Sequence, residues 1–156
     1  LSEARPDLYA DFKIRGETYR ARLDTLHHWV YNEIQSVPEK GRILVTAHDA
    51  FGYYGQAYGV KVVGLQGIST VAEYGVTDVI RIVDLIVASG VKAIFVESSV
   101  PERSIHAVLE GCKGRGADVT IGGTLYSDAM GGPGSGADTY VGMVEANTKT
   151  IVGALR

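Results

Sequence analysis

The stretch LVTAHDAFGYY, Leu44 to Tyr54, decides the fold. Its first half continues an apolar run from Ile43 and reads as a buried strand ending at His48. Its second half opens a short helix, Ala50 to Tyr58, that Gly59 ends. A strand running directly into a helix is the building unit of a parallel sheet. This strand closes on His48 and Asp49, groups that suit a core poorly and a metal ion well. The same corner therefore raises the question of function.

Upstream, apolar and aromatic residues recur at Leu8, Phe12, Tyr19, Leu23, Leu26, Val30 and Ile34, in steps of three, four and seven. That spacing predicts one long amphipathic helix from Asp7 to Ser36. Pro6 suits its first turn and Val37-Pro38 ends it. At about 1.5 Å per residue the helix would exceed ~40 Å, more than a small domain needs. Downstream, strands are expected at Val60–Leu65, Ala93–Glu97 and Val119–Tyr126. Between them, Thr77–Ser89 reads as a helix apolar on nearly all sides and so well buried. Ser99 and Glu102 are expected to form a capping box for the helix that reaches Cys112. Tyr140–Leu155 closes the chain as a helix with Tyr140, Val144, Ile151 and Leu155 on one face. The predicted fold is α/β: a four-stranded parallel sheet with helices on both faces, preceded by the long helix. GGPGSGAD, Gly131 to Asp138, is a loop without the Gly-Lys-Ser/Thr ending of a phosphate cradle.

Composition narrows the classes. The chain has 156 residues, 46% of them apolar, and a formal charge of −3. One domain with a true core fits that length. A mildly acidic chain without a basic cluster argues against nucleic acid as a partner. No apolar run approaches a membrane span. The opening LSEARPDLY has no leader character and no Met, so a processed chain that has lost its targeting segment is expected. Cys112, alone, forms no internal disulfide and reads as a buried thiol on a helix face.

In open parallel sheets, ligands bind beyond the carboxyl ends of the strands. Those ends here are His48-Asp49, Gln66-Gly67, Glu97-Ser98-Ser99, and the run Tyr126-Ser127-Asp128. Imidazole and carboxylates thus gather on one rim, a donor set that suits zinc, manganese or iron in the divalent state. Structural readings compete for each. Asp49 can cap the helix after it, Glu97 can be a hydrogen-bonded strand end, Asp128 can cap a turn, and His48 can be a satisfied core histidine. His27, His28 and His106 lie on helices away from the rim. Tyr53, Tyr54 and Tyr58 are read as packing. Two other functions remain open: a metal-dependent hydrolase using His48, Asp128 and Glu97, and a metal-free interaction module.

The segments LVTAHDAFGYYGQAYG, GLQGIST, AIFVESSVP, LYSDAMG and TYVGMVEANTKTIV together resemble the metal-binding solute-binding proteins of bacterial ABC importers, the TroA-like or cluster 9 zinc and manganese receptors. The match covers essentially the whole chain. The resemblance implies two lobes joined by a long helix, with residues 1–38 as that interdomain helix and 39–156 as the C-terminal α/β lobe. The N-terminal lobe, with two histidine ligands, would be missing. His48 and Asp128 would be the remaining metal ligands, with Glu97 and Asp49 as supporting groups behind them. It further implies no enzymatic activity, a zinc or manganese cargo with iron possible, and an ABC permease as membrane partner. The location would be periplasmic or lipoprotein-anchored. A lobe deprived of its mate is also expected to pair as a homodimer through exposed apolar surface.

Overall fold

The computed structural model describes residues 1–66 and 75–156. Gly67 and most of GLQGIST lie outside the described residues. A single 3-10 turn, Pro6–Leu8, leads into α1, Tyr9–Gln35. There follow β1 (Ile43–His48), α2 (Gly52–Tyr58), β2 (Lys61–Gln66), α3 (Val76–Ser89), β3 (Ala93–Glu97), α4 (Arg103–Gly114), β4 (Thr120–Leu125) and α5 (Tyr140–Leu155).

All four expected strands are present, and both hydrogen-bonded pairs are parallel. In the first, β1 pairs with β2 from Ile43 opposite Lys61 to His48 opposite Gln66. In the second, β3 pairs with β4 from Ala93 opposite Thr120 to Glu97 opposite Leu125. β1 packs beside β3, giving the spatial order β2-β1-β3-β4, but no ladder joins the two inner strands. The expected single sheet is thus two parallel pairs laid side by side. At their carboxyl ends the amide of His48 is taken by the side chain of Glu97 instead of a β3 carbonyl.

Successive residues of a strand face opposite sides, and the core divides accordingly. Leu44 and Phe95 point to one face, where α1 and α5 supply Leu26, Val30, Ile34, Ile151 and Val152. Val45, Ile94 and Val96 point to the other, where α3 and α4 supply Ile82, Ile86, Ile105, Val108 and Cys112. Every residue of β1 and β3 is buried, as expected of inner strands covered on both faces. α5 seats closely on β4 because β4 carries glycines there. A Cβ on Gly123, whose φ is +142°, would meet Thr150 Cγ2 at 2.5 Å.

Several local expectations are corrected. The capping box at Ser99 and Glu102 does not form: α4 begins at Arg103 with no side-chain cap, and Ser99 turns to Ser127. α3 is one-sided. Ile82, Val83 and Ile86 are buried, whereas Val76, Ile80 and Val87 are exposed. A helix lying on one face of a sheet can bury only one stripe. On α5, Tyr140 faces solvent, and Val141, Asn147, Thr148, Ile151 and Val152 are buried. Along α1 only Leu26, Val30 and Ile34 are buried, all in its second half; Tyr9, Ile14 and Tyr19 in the first half are exposed. Cys112 is fully buried as expected, and burial pushes its thiol pKa up.

Candidate metal centre

His48 is the last residue of β1 and only 2% exposed. Its backbone N–H donates to Glu97 Oε1 at 2.9 Å, and its ring Nδ1 lies 2.7 Å from Glu97 Oε2. The ring approach is short but off the line of a well-aligned hydrogen bond, and neither atom has another partner. A buried carboxylate beside Nδ1 favours the tautomer that carries its proton there. Nε2 is then left with its lone pair outward. Nε2 faces Asp128 Oδ2 at 3.6 Å, and the Asp128 side chain is 60% exposed.

That gap is informative. It is too long for a hydrogen bond. Two donors on one ion, each with a bond of about 2.1 Å and at the tetrahedral angle, stand roughly 3.4 Å apart. The observed separation is close to that value. His48 and Asp128 also share an open cavity of about 510 Å³ lined by Asp49, Ala50, Gly52, Tyr53, Gln56 and Ser127. Carboxylate and imidazole therefore converge on one solvent-accessible point at the carboxyl ends of the strands. Among the described residues no group of three His, Cys, Asp or Glu could enclose a metal. The described residues place two candidate donors, His48 and Asp128, on an open rim.

The other candidates take distinct places. Glu97 is buried behind His48 with both oxygens directed at it, so it is not placed as a third donor or as a base toward the opening. Asp49 is exposed on the cavity wall. It does not cap α2, whose N-cap is Phe51 and has no side-chain cap bond. His27 and His28 are exposed on α1, with His27 Nδ1 3.3 Å from the Tyr58 hydroxyl. His106 pairs with Glu102 on the surface. Tyr54 and Tyr58 pack edge to face, as expected, but Tyr53 is 91% exposed on the cavity wall. Burial pushes the Tyr54 hydroxyl up to about 12.

Three supports have no signature in sequence spacing. Gly64 on β2 lies against the corner after β1; a Cβ there would come within 2.7 Å of Asp49 N and 2.9 Å of the His48 carbonyl carbon. Ser99 Oγ, after β3, sits 2.6 Å from Ser127 Oγ, beside Asp128. Asn147 on α5 holds the backbone of Tyr126 through two hydrogen bonds. Only an unexplained glycine inside a strand pattern could have pointed to the first.

The chain is similar over its full length to known proteins. The manganese-binding lipoprotein MntA of Bacillus subtilis is 52% identical over 156 residues, covering all of this chain and 51% of the relative. The zinc-binding protein TroA of Treponema pallidum is 44% identical over 155 residues, covering 99% of this chain and 50% of the relative. The solved structure of that periplasmic zinc-binding protein superposes with a TM-score of 0.95, over 99% of this chain and 56% of the other. The chain spans about half the length of the curated relatives it matches. A family description, ZnuA, zinc-uptake complex component A, periplasmic, matches residues 1–154. The chain, with its α/β fold and long leading helix, belongs to this family of metal-binding proteins.

Proposed function

We propose that this chain is one half of an extracytoplasmic receptor that captures zinc or manganese and hands it to an ABC permease in the membrane. Residues 1–38 form the connecting helix and residues 39–156 the C-terminal lobe. His48 and Asp128 supply two of the ligands, and a second lobe supplies the others. The observation that carries this reading is the 3.6 Å approach of His48 Nε2 to Asp128 Oδ2 on an open rim. A pair of donors spaced for one ion but lacking enclosure fits capture between two surfaces. The relatives named for manganese and zinc support the cargo, and the lipoprotein name of one supports a location outside the cytoplasm. No bond of the cargo is made or broken except coordination, so no enzymatic step is assigned. One nitrogen and one carboxylate donor accommodate zinc or manganese, and iron as well.

The test is competition of the full-length protein with a chelating dye for zinc and for manganese. His48→Ala and Asp128→Ala should each weaken binding by at least about tenfold. Affinities unchanged in both variants would overturn the assignment.

A further inference from the structure

Asn147 and Thr148 are adjacent on α5 and both are buried, an unusual place for two polar side chains on a helix far along the chain from either proposed ligand. Each is fully engaged, and each reaches a different ligand-bearing segment. Asn147 Oδ1 accepts from the Tyr126 N–H at 2.9 Å, and Asn147 Nδ2 donates to the Tyr126 carbonyl at 2.7 Å. β4 ends at Leu125, so this amide takes the place of a neighbouring strand just where the ladder stops. Asp128 follows two residues later. Thr148 Oγ1 donates to the Val144 carbonyl at 2.8 Å, so the hydroxyl of Tyr54, 3.0 Å away, must be the donor to Thr148. Tyr54 belongs to α2, the helix that follows His48 and forms one wall of the cavity.

We propose that Asn147 and Thr148 act as a bracket on α5 that sets the separation between His48 and Asp128. The inference rests on the reading of those two residues as ligands. His48 is locked from behind by Glu97, but the Asp128 carboxylate is mostly exposed and, among the described residues, makes no side-chain hydrogen bond and has only His48 as a charged neighbour within 4 Å. Its position is therefore set by its own backbone. That backbone is tied at Tyr126 by Asn147, and the Ser127 side chain beside it is held by the Ser99 hydroxyl. Thr148 ties the opposite wall to the same helical turn. Asn147 and Thr148 are positioning residues that never touch the ion.

The experiment is a double-mutant cycle on the full-length protein, with zinc and manganese as probes. Asn147→Leu, close in volume and unable to make either bond, should weaken binding by about tenfold or more. Placed in an Asp128→Ala background it should cost less than about twofold further, because the effect travels through Asp128. Equal losses in both backgrounds, or none in the first, would overturn the bracket. Asn147→Asp serves if the leucine variant does not fold. It keeps the acceptor for the Tyr126 N–H and loses the donor to the carbonyl, and it is expected to show the same coupling. If Asp128→Ala alone leaves affinity unchanged, the ligand reading fails, and the metal-free protein decides the bracket. Amide hydrogen exchange at Ser127 and Asp128 should then speed up in the Asn147 variants while that of β3 does not. Exchange unchanged at both residues would overturn the proposal.

Discussion

Replacing Glu97 by Gln should separate metal affinity from stability. In the wild type one carboxylate serves two partners: the His48 N–H at 2.9 Å and the ring Nδ1 at 2.7 Å. The backbone N–H can only donate, so the glutamine must turn its oxygen toward it. The NH2 then faces Nδ1, which must accept. The ring proton is driven to Nε2, the atom that faces Asp128 and the opening. A metal arriving there meets an N–H instead of a lone pair. Restoring the productive tautomer would set two donors against each other in a buried site. Loss of such a supporting partner costs about 10- to 100-fold in metal affinity, or about 1.4–2.7 kcal/mol. Stability should change by less than about 1 kcal/mol. The bond from the backbone N–H survives, and the weaker neutral acceptor is offset by no longer burying a charge. Dye competition gives the affinity, urea unfolding the stability, and 15N chemical shifts of the imidazole the tautomer. Wild-type affinity, or an unprotonated Nε2 in the metal-free variant, would refute the reasoning.

Gly64→Ala should destabilise the chain by about 1–3 kcal/mol in urea, because its Cβ would press on backbone atoms of His48 and Asp49 that cannot rotate away. Tyr54→Phe should flatten the alkaline limb of the stability profile. Burial pushes the folded Tyr54 hydroxyl up to about 12 from an ordinary 10.0, so its stabilisation is whole below pH 10 and is lost as pH rises through 12. Two units correspond to about 2.7 kcal/mol; a phenylalanine variant with the wild-type alkaline slope would contradict this. Sedimentation of this chain alone should show dimers at high concentration, through the exposed Tyr9, Ile14 and Tyr19 of α1. A purely monomeric boundary would count against that expectation.

Much of the architecture was legible in the residues because its signals are local. Ala93–Glu97 and Tyr140–Leu155 form the elements expected of them to the residue, since an apolar run between breakers and a helical period each declare themselves within a few positions. The rim was legible too, because topology alone puts His48, Glu97 and the approach to Asp128 at the same ends of their strands. What could not be read is non-local. Ser99 looked like a cap because Glu102 stood three residues on, but its partner is Ser127. Asp49 looked like a cap for α2, but the helix starts two residues later than expected, with Phe51 at its N-cap. α3 carries apolar side chains on a side the sheet does not cover, so composition overstated its burial. Asn147 has no periodic signature; a polar residue inside an amphipathic helix announces nothing until the strand it serves is in place.

α1 is clamped at one end only. Leu26, Val30 and Ile34 fix its second half in the core, and the turns before them run on without burying a side chain. Such an element is a lever. The stretch from Tyr9 to Thr25 reaches about 25 Å at 1.5 Å per residue. A bend of about 5° at the clamp would move the far tip by about 2 Å, roughly one metal–ligand bond. Anything carried on that tip inherits its aim from three buried side chains. Shaving Val30 or Ile34 to alanine would then shift the aim of whatever that tip carries.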